Sequence, residues 1–149
     1  MVLHTGQPSP SFTGTDEQGN RRSLVDYRGR WLLLYFYPKD DTSGCTAQAC
    51  GFRDRSVELQ GKVEILGVSA DSVESHLTFK TKYSLPFPLL ADTDRTIIQT
   101  YGATKEELGK RVSFLIDPEG VIRKIYTGID CEKHAEQVVQ DMKDFIGMT

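Results

Sequence analysis

No run of apolar residues in this chain approaches the roughly 20 that a membrane-spanning helix needs; the longest, Trp31 to Tyr37, is closed at once by Pro38. A basic stripe is missing too. The 18 lysines and arginines are scattered and outnumbered by 21 acidic residues, for a net charge of −3, which argues against nucleic acid or an anionic membrane as a partner. The opening residues, Met1 to Gly6, have neither the basic region nor the apolar stretch of a secretory signal. Cysteine is scarce: there are three, an odd number, so at least one stands outside any intramolecular disulfide. Few thiols and no leader lead us to expect a reducing compartment, the cytoplasm; an organellar protein with its transit peptide removed would read the same way. Repeats, low-complexity segments and linkers are absent, and 149 residues of moderate apolar content fit a single domain over 1–149.

What is present alternates between strand and helix patterns. An opening hairpin (Ser11 to Thr15, a turn at Asp16 to Asn20, then Arg21 to Leu24) precedes Trp31 to Tyr37, which reads as a strand buried on both faces. A helix is predicted from about Ser43 to Leu59, with Phe52, Val57 and Leu59 among its apolar positions. Val63 to Ser69 is the next strand, and Asp71 or Ser72 can cap a helix over Val73 to Tyr83. Pro86 and Pro88 break the chain around Phe87; Leu89-Leu90 forms a very short strand and Thr93 to Tyr101 a short helix. Val112 to Asp117 and Val121 to Tyr126 make a hairpin about Pro118-Glu119-Gly120. Glu132 to Ile146 is helical, with Ala135, Val138, Val139, Met142 and Phe145 at helical spacing.

This order predicts an α/β, thioredoxin-like fold: a central, mostly parallel β-sheet with an antiparallel hairpin edge, helices on both faces and an N-terminal hairpin extension. Functional groups in such sheets collect where a strand's carboxyl end hands over to a helix. The segment from Pro38 to Cys45 is such a handover.

It also holds the chain's most informative feature, Cys45 and Cys50, in Pro38-Lys-Asp-Asp-Thr42-Ser-Gly44-Cys45-Thr-Ala-Gln48-Ala-Cys50. A cysteine in a helix's first turn sits against unpaired backbone N–H groups, which stabilise thiolate over thiol. Gly44 permits close backbone approach, and the free N–H groups form a cradle for an oxygen atom. Thr42 offers a hydroxyl that can cap the helix or contact a ligand at the sulfur. A small oxygen-rich molecule held against a thiolate is the ligand these residues suggest, with a second thiol nearby to trap the product.

Pro38-x-x-x-Thr42-x-x-Cys45 resembles the active-site motif of the peroxiredoxins. Tyr35-Phe-Tyr-Pro-Lys-Asp and Cys45-Thr-x-x-x-Cys50-x-Phe52-Arg53-Asp54 resemble the peroxiredoxin Q branch, also called bacterioferritin comigratory protein. The likeness extends to Gly67-Val68-Ser69-x-Asp71, Pro86-Phe87-x-Leu89-Leu90-x-Asp92 and Arg111-x-x-Phe114-Leu115-Ile116-Asp117-x-x-Gly120, nearly the whole chain. It implies a thiol peroxidase that reduces hydrogen peroxide and organic hydroperoxides without metal, haem or flavin. Cys45 would be the peroxidatic cysteine, oxidised to a sulfenic acid. Thr42, Gly44 and Arg111 would hold the peroxide, with Arg111 stabilising both thiolate and departing oxygen. Pro38 would shield the sulfenate. Cys50 would be the resolving cysteine, forming an intramolecular disulfide that thioredoxin or a related dithiol reduces. Relatives of this branch are often monomers, and a monomer is expected here.

Two positions depart from the branch: Gln48 stands where most relatives have glutamate, and Ser43 where proline is frequent. Gln48 can accept a hydrogen bond from Arg111 but cannot neutralise it, and serine leaves the helix start looser than proline would. Residues five apart in an α-helix have Cα atoms roughly 8.5 Å apart on nearly opposite faces, beyond the limit of about 7 Å for a disulfide. The first turns are therefore expected to unwind in each catalytic cycle.

The remaining candidates read as structural. Cys131 falls outside the motif and reads as a small apolar residue. A zinc site from Cys45, Cys50, Cys131 and His134 has the ligand types but not the spacing. His4, His76 and His134 show no partner pattern and read as solvated, as does the pair Asp40-Asp41; Trp31 reads as a core or strand-edge aromatic. Two other functions fit a cysteine pair: a dithiol–disulfide oxidoreductase acting on proteins, which usually uses Cys-x-x-Cys, and a peroxide sensor or holdase.

Overall fold

The computed structural model describes residues 3–146. A two-stranded hairpin, β1 (Thr13–Thr15) and β2 (Arg21–Ser23), and a 3-10 turn (Leu24–Tyr27) lead into β3 (Trp31–Phe36). Then follow α1 (Ser43–Asp54), α2 (Ser56–Leu59), β4 (Val63–Ser69), α3 (Val73–Tyr83) and β5 (Leu89–Ala91). The chain continues through α4 (Thr96–Thr100), β6 (Val112–Ile116), β7 (Ile122–Tyr126) and α5 (His134–Ile146).

The five-stranded sheet has the order β5-β4-β3-β6-β7. β3, β4 and β5 are parallel; β6 runs against β3, and β7 against β6. Four strands thus share one direction and β6 alone opposes them, which is the expected mixed sheet with a hairpin at one edge. β3 is apolar throughout because it is central and covered on both faces. Its period-2 alternation sends Leu33 and Tyr35 into one core with Phe52, Phe79, Val138 and Met142. Leu32, Leu34 and Phe36 enter the opposite core with Phe12, Tyr27, Ile97, Tyr101 and Phe114. The two faces are covered unequally: α1, α2, α3 and α5 contribute to the first core, α4 and the N-terminal segment to the second. Gly67 of β4 is required by close packing, since a Cβ there would lie 2.8 Å from Leu89 Cδ2 and 3.0 Å from the Tyr35 ring.

The predicted helix 43–59 is two pieces. Arg55, at φ −99° and ψ 8°, interrupts it, and the second piece turns Val57 to solvent at 83% exposure while Leu59 reaches the core. The short helix predicted from Thr93 begins only at Thr96. Before it, Asp94 accepts from the Thr96 N–H, Arg95 is left-handed, and the buried Asp92 carboxylate accepts from the N–H groups of Ile97 and Ile98. Helix α3 has the predicted bounds, with Ser72 as the cap through a bond from the Ser75 N–H.

Candidate active site

Strand pairing assembles the site. Residue Phe36, the last of β3, lies opposite Val112, the first of β6, so Arg111 emerges beside the loop that leads from β3 to α1. Cys45 follows in the first turn of α1 and is almost wholly buried, at 1% exposure. Arg111 Nη2 donates to Cys45 Sγ at 3.2 Å, and Nη1 donates to Gln48 Oε1 at 2.6 Å. The guanidinium therefore spans the first helical turn, holding the sulfur with one nitrogen and a neutral amide with the other. This places a fixed cation against the Cys45 sulfur, where it favours negative charge. The amide nitrogen of Gln48 is buried and has no hydrogen-bond partner among the described residues.

Thr42 occupies the N-cap position of α1, but its hydroxyl makes no capping bond. It donates instead to the Lys39 carbonyl at 3.0 Å. Its proton is thus committed to the loop, and its lone pairs are left to accept a hydrogen bond. No side chain caps the first turn of α1, so its leading N–H groups stay available to an oxygen beside Cys45. Pro38 lies exposed in the same loop, on the solvent side of the site.

The loop is anchored by groups that read as solvated in the sequence. Asp40 is buried. Its carboxylate accepts from Tyr37 Oη at 2.6 Å and Ser75 Oγ at 2.8 Å, and lies 2.7 Å from His76 Nδ1. Its backbone N–H donates to Asp71 Oδ2 at 2.8 Å. His76 is fully buried, with Nε2 at 2.9 Å from the Leu90 carbonyl. Asp41 is exposed, as expected, yet its carboxylate accepts from Lys82 Nζ at 2.8 Å and Tyr83 Oη at 2.7 Å, which holds it below the usual carboxylate range. Its φ of 59° is left-handed, a conformation non-glycine residues adopt mainly where surrounding contacts enforce it. These bonds tie the Pro38–Thr42 loop to α3. Asp40 and His76 escaped the sequence reading because the bonds that join residues 37–40 to residues 71–76 span 31 to 39 positions of the chain; the only sequence signal was His76 three positions before buried Phe79, on the inner helix face.

Cys50, on α1, is half-buried, and all three cysteines are free thiols. Cys131 is also half-buried, at the turn before α5, and its Sγ lies 3.5 Å from the point where a Cβ on Gly44 would stand; Arg111 Nη2 is 3.1 Å from that point. Burial pushes the Cys131 thiol up, Arg111 pulls it down, and negative charge on Cys45 raises it further. His134 is buried as well, contrary to expectation. It belongs to the inner face of α5 with Ala135, Val138 and Val139, and its Nε2 meets Ser113 Oγ at 2.9 Å. Burial, with a smaller push from Arg111, holds it neutral, at a pKa of about 4. His4 is exposed, as expected. Trp31 is partly buried against Phe145. Among the described residues, no helix is long and apolar enough to cross a membrane.

The chain is similar to known proteins over most of its length. Residues 5–125 match the AhpC/TSA family. A Coxiella burnetii protein named peroxiredoxin bcp is 45% identical over 148 residues, covering 93% of this chain and 98% of that protein. The Bacillus subtilis peroxiredoxin Bcp is 38% identical, covering 97% and 98%. Among solved structures, the Xanthomonas campestris bacterioferritin comigratory protein, studied for its alkyl peroxide reduction, superposes with a TM-score of 0.82 at 32% identity, over 89% of this chain and 90% of that one. A buried cysteine at a helix start, bonded by an arginine just before the neighbouring strand, within a fold and sequence shared with these proteins, makes this chain a member of the AhpC/TSA family: a peroxiredoxin, a thiol-dependent peroxidase, of the Q/Bcp branch.

Proposed function

We propose that Cys45 is the peroxidatic cysteine and Cys50 its resolving partner. The observation that carries the first assignment is the 3.2 Å bond from Arg111 Nη2 to Cys45 Sγ at the uncapped start of α1. A hydroperoxide enters with its distal oxygen toward Sγ, accepts hydrogen bonds from the first-turn N–H groups and Arg111, and donates a hydrogen bond to Thr42 Oγ1. The thiolate attacks that oxygen, which keeps its proton and becomes the sulfenic acid hydroxyl on Cys45 as the O–O bond breaks, and the leaving alkoxide or hydroxide takes a proton from solvent. Pro38 shields the product from water.

Cys50 then condenses with the sulfenic acid, releasing water and forming the Cys45–Cys50 disulfide. Both cysteines lie in the continuous helix Ser43–Asp54, where residues five apart have Cα atoms roughly 8.5 Å apart. The first turns of α1 must unwind for the bond to form. The absence of a capping side chain and of a proline at Ser43 favours that opening. Thioredoxin or a related dithiol reduces the disulfide. We assign the cycle to one domain acting as a monomer, in the cytoplasm.

The test is peroxide consumption with thioredoxin, its reductase and a nicotinamide reductant. Cys45→Ser should abolish turnover, and peptide mapping of the oxidised protein should find Cys45 joined to Cys50. Turnover that survives Cys45→Ser would sink the assignment.

A further inference from the structure

The third thiol is not remote from the chemistry. Cys131 Sγ and Arg111 Nη2 converge on one point above Gly44, at 3.5 and 3.1 Å from where its Cβ would be, and the same Nη2 donates to Cys45 Sγ. A Cβ at position 44 would crowd Arg111 Nη2 at 3.1 Å while meeting Cys131 Sγ in ordinary van der Waals contact at 3.5 Å, so the glycine leaves room chiefly for the guanidinium. The contact is part of a larger one, since Gly51 of α1 lies equally close to Ala135, at the start of α5. One guanidinium thus bonds the Cys45 sulfur and lends its charge to the Cys131 thiol from a different part of the chain. Two further buried nitrogens without partners, Gln48 Nε2 and His134 Nδ1, belong to side chains that bond to this guanidinium or feel its charge.

We propose that Cys131 is a second resolving cysteine, able to condense with the Cys45 sulfenic acid in place of Cys50. This rests on Cys45 being the peroxidatic residue. The step balances without an added reactant: the Cys131 thiol and the Cys45 sulfenic acid give a Cys45–Cys131 disulfide and one water, and the dithiol that serves the main cycle reduces it. Two features favour it. Cys131 sits in a turn beside Gly44, whereas Cys50 shares an intact helix with Cys45 and needs that helix to unwind. The electrostatics also change hands on oxidation. While Cys45 is a thiolate, its charge opposes ionisation of Cys131 and engages Arg111. Once Cys45 is an uncharged sulfenic acid, that opposition vanishes and Arg111 remains, faced on its other side only by the neutral Gln48 amide. Oxidation of the first thiol thereby removes one of the charges that oppose ionisation of the third, while its burial and Asp130 still oppose it.

The experiment treats the Cys50→Ser protein with one equivalent of hydrogen peroxide, blocks free thiols and maps disulfides by mass spectrometry, with dimedone added in a parallel sample. Thioredoxin-coupled turnover is measured for the same protein, and for Cys50→Ser carrying Cys131→Ser or Cys131→Ala. The expected result is a Cys45–Cys131 disulfide in Cys50→Ser and turnover about tenfold to a hundredfold below the unaltered protein, as suits a less ionised attacking thiol. Both should disappear in the two double variants, leaving Cys45 labelled by dimedone. If Cys45 in Cys50→Ser takes up dimedone while Cys131 stays free, and turnover is no higher than in the double variants, the proposal is overturned and the peroxidatic assignment stands. If Cys45 is not oxidised even in the unaltered protein, the peroxidatic reading itself has failed.

Discussion

His76 Nδ1 lies 2.7 Å from Asp40 Oδ2, and this buried pair joins α3 to the loop that delivers Cys45. Because His76 Nε2 faces the Leu90 carbonyl, it must donate there. Asp40 also accepts from Tyr37 and Ser75, so a proton lies between Nδ1 and the carboxylate. His76→Asn leaves a buried acid short of its main partner. The expected loss is about 3 kcal/mol of stability, read from urea denaturation, with a fall in the Cys45–peroxide rate constant as the loop loosens. An unchanged denaturation midpoint would show that the pair is not an anchor.

Arg111 touches both Cys45 and Gln48, so its two nitrogens cannot be replaced by one ammonium. Arg111→Ala is expected to lower kcat/KM for hydrogen peroxide by about 10²-fold, the scale of losing one preorganised charge-stabilising donor. Arg111→Lys should recover part of that. Stopped-flow oxidation measurements separate the three proteins, and equal rates for Arg111→Ala and the unaltered chain would remove arginine from the mechanism.

Gln48→Glu puts a carboxylate within about 3 Å of the guanidinium, the distance of a direct ion pair. The carboxylate competes with the Cys45 sulfur for Arg111. Alkylation of Cys45 by iodoacetamide at neutral pH should slow several-fold, and the fold stability should hold or rise because the unpaired Gln48 amide nitrogen is gone. Faster alkylation would reverse the reading of Gln48.

His134 supplies a pH signature. Burial lowers its folded-state pKa from 6.5 to about 4, so between these values the unfolded chain binds a proton that the folded chain refuses. Stability therefore falls as pH drops through 6.5 and levels off below about 4. The contribution lost between about pH 7.5 and pH 5 is about 2 kcal/mol. His134→Gln should shrink the stability difference between those pH values by that amount, measured by chemical denaturation at each. An identical pH slope in the variant would mean that another group carries it.

Much of this site could be read from the order of residues alone. Cys45 at a helix start after Pro38, Thr42 and Gly44 is a local pattern, and local patterns survive without coordinates because a strand's end, a turn and a helix's first residues are set by neighbours in the chain. The periodicities of 2 and 3.6 likewise placed β3, β4, α3 and α5. The break at Arg55, where φ is −99° and ψ 8°, was not legible, nor was the late start of α4, where the left-handed Arg95 and the buried Asp92 carboxylate bonding to helix N–H groups outweigh a continuing apolar pattern.

What tertiary structure alone decided is which polar residues go inside and which distant ones meet. Antiparallel pairing of Phe36 with Val112 brings Arg111 to a cysteine 66 residues earlier in the chain. Packing of α3 on the loop buries Asp40 with His76, and the turn before α5 sets Cys131 over Gly44. Apart from Arg111, which the family resemblance sets against Cys45, the residue pattern carries no signal for such contacts: hydrogen bonds and charges act over a few ångströms, and only the folded sheet makes residues far apart in the chain near neighbours. The order of residues determined the fold and the thiol we propose as the attacking one; the folded chain determined the company that thiol keeps.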